Sequence, residues 1–104
     1  MRMTNKDLQV AYAYYNKKYF SNKLPHDMVV RFEKVWPLGV TSCYHDRPLF
    51  IHINDRLRFS KVLCDMTLIH EMVHVETPRP NNHGKWFHKR MLELARKGAF
   101  KQCW

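Results

Sequence analysis

Residues 67–89 read TLIHEMVHVETPRPNNHGKWFHK, and the spacing of the histidines in this stretch decides how the rest of the chain is read. His70 and His74 stand four residues apart around Glu71, within a run whose apolar residues recur at helical spacing. Side chains at i and i+4 project from one face of a helix, so two neutral imidazoles can hold one zinc ion between them. Glu71 lies about 100° further round the helix. From there it can reach a zinc-bound water, whose pKa the metal lowers, and take its proton as water attacks a carbonyl carbon. Two histidines on an otherwise buried helix are costly unless something satisfies them, and a metal does so.

A catalytic zinc normally keeps three protein ligands and one open position. Two residues compete for the third place. His83 follows His74 across the VETPRPNN loop, and Gly84 lets the backbone turn sharply just after it. Glu93 stands further on, but Lys89 and Lys97 lie four residues to either side of it, the pattern of a solvated helix pair. His83 is favoured and Glu93 is the alternative. His88 reads as a surface histidine.

Working outward, Ser60 is the expected N-cap of the histidine-bearing helix. Val62, Met66, Ile69 and Val73 make one apolar side of it, and Leu68, Met72 and Val75 make another. A helix apolar nearly all round belongs at the centre, with Lys61, Asp65 and Glu76 left for solvent. Upstream, MVVRFEKV (28–35), GVTSCYH (39–45) and LFIHI (49–53) predict three strands, punctuated by WPLG and DRP. Connections this short favour an antiparallel meander. The chain opens with a helix: Thr4 and Asp7 form a capping box, and Leu8, Tyr12, Tyr15 and Tyr19 give it an aromatic core face. SNKLP should end that helix, because Pro25 cannot extend it. Residues 84–97 predict a last helix that Gly98 can terminate. The expected fold class is α+β in one domain, residues 1–104: an N-terminal helix, a three-stranded antiparallel sheet, the HExxH helix and a C-terminal helix.

Composition bounds the rest. A chain of 104 residues with 45% hydrophobic and 13% aromatic content can build one core without disulfides. No apolar run approaches the roughly 20 residues of a membrane span, and MRMTNKDLQV has no apolar stretch that would make a secretory signal. Cys43, Cys64 and Cys103 are odd in number and lack CxxC spacing, so reduced thiols in a cytosolic protein are expected. The net charge of +9 points to an acidic partner such as nucleic acid. Lys85, Lys89, Arg90, Arg96, Lys97 and Lys101 crowd the C-terminal region against the single acid Glu93, with Trp86, Phe100 and Trp104 among them. These cations are the candidate nucleic-acid contacts.

HEMVH followed by HGKWF resembles the SprT-like zinc metallopeptidase domain family, Spartan-related, whose signature is HExxH, a loop of variable length and His-Gly-x-x-Phe. YYNKKYFSNKLP is similar to that family's first helix and its Leu-Pro end, and LFIHINDRL to the strand and turn before its active helix, so the likeness spans nearly the whole chain. The resemblance implies a small zincin-like endopeptidase with His70, His74 and His83 as zinc ligands, Glu71 as general base and Phe87 as a packing residue. It also implies a tie to DNA, since eukaryotic relatives cleave proteins crosslinked to DNA and depend on DNA for activity. Many members carry a Cys-rich zinc ribbon after the peptidase domain. KQCW shows no such spacing, so a compact form is expected, with any DNA contact on the domain's own surface.

The expected partners are therefore a protein substrate and DNA, single-stranded or duplex, with no membrane. The chain is expected to be a monomer, cytoplasmic or nucleoid-associated, or in the host cytoplasm if it is a phage protein. A substrate would lie extended beside an edge strand, with LFIHI the candidate, and Tyr44, His45 and His52 are candidate oxyanion donors. A zinc-stabilised nucleic-acid-binding module without turnover is the alternative, and Glu71, which a purely structural site does not need, favours the enzyme. A third reading is a peptidase unrelated to DNA whose charge serves an acidic protein.

Overall fold

The computed structural model of the chain describes residues 2–42, 49–76 and 84–100. Helix α1 spans Asn5–Tyr19. Thr4 caps it as expected: its Oγ1 accepts from the Asp7 N–H, and the Asp7 carboxylate accepts from the Thr4 N–H. Leu8, Tyr12 and Tyr19 are buried in the core. The helix stops well short of Pro25. Ser21 and Asn22 both take left-handed backbone, at φ 53° and 61°. The buried Asn16 side chain clasps Leu24, donating to its carbonyl and accepting from its N–H at 3.1 Å each. Asn16 and the left-handed pair shape this turn, and the proline only follows it.

Three strands follow: β1 (Val29–Glu33), β2 (Gly39–Ser42) and β3 (Phe50–Asn54). The expected antiparallel meander does not form. The sheet is mixed, in the order β1-β3-β2, with β1 parallel to β3 and β2 antiparallel to β3. Asn54, the last residue of β3, shows why. Its backbone N–H donates to the Leu38 carbonyl at 2.8 Å, and its side-chain amide donates to the Val35 and Pro37 carbonyls at 2.9 and 3.2 Å. The connection after β1 is thereby pinned across the end of β3, so it carries the chain over that strand and not back against β1. The central lane goes to β3, whose Ile51 and Ile53 are fully buried. LFIHI is therefore hydrogen-bonded on both sides and is no edge. Among the described residues, the edge strand nearest the histidine-bearing helix is β2.

A 3-10 turn, Asp55–Phe59, leads from β3 into helix α2, Lys61–Glu76. Ser60 Oγ accepts from the Leu63 N–H at 3.3 Å, the N-cap role expected of it. Leu68, Ile69, Met72 and Val73 are fully buried, so α2 is the central helix. Asp65 does not face solvent as expected. It is 1% exposed, because α1 packs across this turn, Tyr15 hydrogen-bonds to it, and Lys61 Nζ closes over it at 2.6 Å.

Helix α3 spans Lys85–Arg96. It ends at Gly98, where φ is +89°. The Gly98 N–H bonds the Ala95 carbonyl and the Ala99 N–H bonds that of Leu94, a paired closure that favours glycine at the left-handed position. Arg90 ties α3 to the other helices. Its guanidinium meets Glu76 at 2.8 and 3.2 Å, donates to the Tyr19 carbonyl at 2.8 Å and lies over the Phe20 ring. None of the described helices is long and apolar enough to cross a membrane.

Candidate metal centre

On α2, His70, Glu71 and His74 bring one ligand atom each to within 4.8 Å of one another, a group that can hold a metal ion. The Nε2 atoms of His70 and His74 face each other at 3.2 Å. Two nitrogens bound at about 2.0–2.1 Å to one tetrahedral zinc stand about 3.3 Å apart. The 3.2 Å spacing suits a hydrogen bond between the two rings and equally suits two nitrogen ligands on one metal ion, a role open to zinc.

Phe87, from α3, holds this arrangement from behind. Its ring stacks on His74, with centroids 4.7 Å apart and planes 22° apart, and meets His70 edge-on at 4.9 Å. Phe87 is buried, so it packs as expected, and it also fixes the planes of both imidazoles. Burial of that ring packs α3 against the face of α2 that carries the two histidines.

Glu71 is only 6% exposed. Thr41 Oγ1, from β2, donates to Glu71 Oε1 at 2.7 Å, and Oε2 lies 3.8 Å from His70 Nε2. The close approach of strand and helix needs Gly39. A Cβ there would sit 2.9 Å from Glu71 Cγ and 3.0 Å from Thr67 Cγ2. Thr41 and Gly39 were missed by sequence reasoning, since no local spacing links positions 39 and 41 to position 71. Only the packing of β2 on α2 joins them.

His83 lies outside the described residues, as do Lys101, Trp104, Tyr44 and His45. Glu93 is not part of the histidine–glutamate group. It sits 3.5 Å from Arg90 on the half-exposed side of α3. His52 is on β3, stacked on Phe50 at 4.1 Å, and burial lowers its pKa below the usual histidine range. His88 is exposed. Of the cations singled out on α3 and at its C-cap, Lys85, Lys89, Arg96 and Lys97 are exposed, with Trp86 beside them, whereas Arg90 is turned inward. Family models, curated proteins and solved structures give no match to this chain, so the centre is defined by its own geometry.

Proposed function

We propose that the chain is a zinc-dependent endopeptidase of SprT-like type that acts on DNA-associated or DNA-crosslinked proteins. The observation that carries this reading is the 3.2 Å convergence of His70 and His74 beside a carboxylate that a separate strand holds in place. In this reading His70, His74 and His83 hold the ion, and Glu71 is the general base and not a ligand. When bound, zinc supplies a Lewis acid that polarises a carbonyl and makes water more acidic. Glu71 accepts the proton of the attacking water and passes it to the leaving amine. Thr41 steadies the carboxylate so that one oxygen stays directed at the histidine side. In this reading an extended substrate pairs with main-chain groups of β2, an edge strand among the described residues whose Thr41 contacts Glu71, and its scissile bond lies beside the carboxylate.

The DNA element of the proposal rests on the net charge of +9 and on the exposed Lys85, Lys89 and Arg96 of α3 and Lys97 at its C-cap. The test is cleavage of a basic DNA-binding protein by the zinc-loaded chain, with and without DNA. Cleavage that requires DNA is the expected result. Cleavage indifferent to DNA would leave a peptidase whose charge serves another partner. Zinc and DNA both bound, with no cleavage, would instead establish a zinc-stabilised binding module.

A further inference from the structure

Away from the metal centre, the two most exposed aromatic rings among the described residues are Trp36, at 98%, and Phe59, at 74%. Single exposed apolar side chains are ordinary on protein surfaces, but these two rings stand on segments that are held together. Asn54 takes three backbone groups of the Val35–Leu38 loop, and its Oδ1 also accepts from the Arg56 N–H at 2.9 Å. One side chain therefore joins the pedestal of Trp36 to the turn that carries Arg56. In a 3-10 turn, residues i and i+3 line up along one edge, so Arg56 and Phe59 share a side. The Arg2 guanidinium lies 6.0 Å from the Phe59 centroid.

The loop and the turn joined in this way form a strip that carries exposed rings and exposed cations: Lys34 and Trp36 on the loop, Arg56 and Phe59 on the turn, and Arg2 against Phe59. The neighbouring acids are already engaged, Glu33 with Arg31 and Asp55 with Arg58. Pro37 and Leu38 are also exposed beside Trp36, but the cations Lys34, Arg56 and Arg2 flank the two rings, so this surface is basic as well as apolar. A strand of unpaired bases matches both, with a π-face for each ring and a phosphate for each cation. We propose that this strip binds single-stranded nucleic acid, one base stacking on Trp36 and another on Phe59, with Lys34, Arg56 and Arg2 on the phosphates. The proposal rests on the reading that the chain meets nucleic acid, but it places the contact on a surface other than α3 and does not depend on metal.

The test is fluorescence anisotropy of a labelled oligothymidylate, titrated with the full chain at low salt. Trp36→Ala and Phe59→Ala are each expected to weaken binding by about tenfold, while Trp36→Phe keeps most of it. Both side chains are exposed, and an unchanged melting temperature would confirm that the variants fold. A Lys85→Ala/Lys89→Ala variant separates the two surfaces. If that variant abolishes binding while Trp36→Ala and Phe59→Ala do not change it, the strip is overturned and nucleic-acid contact by α3 stands. Equal affinity for a duplex of the same length would overturn the single-strand assignment. No binding by the unaltered chain would overturn both the strip and the nucleic-acid reading.

Discussion

Glu71, the proposed general base, shows how a side chain can be placed by residues that carry no motif. Its carboxylate is held by the Thr41 hydroxyl at 2.7 Å, across a gap kept open by the missing side chain of Gly39. Gly39→Ala would press a methyl group on Glu71 Cγ and displace the carboxylate. We expect zinc content to be unchanged and kcat to fall on the order of 10- to 100-fold, as misplacement of a reacting group does. Steady-state kinetics with metal analysis checks this. At the same scale, Cys64 is fully buried, and burial pushes its thiol up to about 11. It should resist iodoacetamide in the native protein at pH 8 and react fully in denaturant, as read by peptide mapping. The histidine pair and Glu71 were legible in the sequence because helical periodicity alone puts them on adjacent faces. Thr41 and Gly39 were not, because a strand–helix contact leaves no trace in local spacing.

At the scale of elements, the chain states its own boundaries where a side chain makes the boundary. Thr4 with Asp7, Ser60 and Gly98 each act as the sequence suggests. The end of α1 was misattributed to Pro25 because the agent, Asn16, acts from inside the helix on a residue eight positions on. Gly98→Ala, forced into φ +89°, should cost about 1 kcal/mol of stability. Arg90→Ala should cost more, about 2 kcal/mol, because it leaves the half-buried Glu76 without its guanidinium and the Tyr19 carbonyl without a donor. Chemical denaturation of the two variants gives the order directly. An Arg90→Ala protein as stable as the parent would show that the three helices do not depend on this clamp.

For the whole molecule, the α+β class and the succession of elements follow from periodicity and turn residues, but the order of strands does not. Sequence proximity argues for β1 beside β2, and that preference is overruled by Asn54, which anchors the intervening loop over the end of β3. The mixed sheet bears on the proposed function, since among the described residues it brings β2, not β3, to the edge beside Glu71. The proposed zinc ion should also stabilise the fold by mass action. Zinc at about 1,000 times its Kd contributes about 4 kcal/mol, so chelation should lower the melting temperature by more than about 10 °C. An unchanged melting temperature would mean that the chain does not fold around zinc.

The most direct measurement compares the parent chain with Glu71→Gln, recording zinc content and protein cleavage on the same preparations. The account predicts equal zinc in both proteins, with cleavage by the variant reduced about 10²- to 10⁴-fold. Full zinc together with undiminished cleavage in Glu71→Gln would contradict the assignment of Glu71 as the base, and with it the mechanism proposed for this centre.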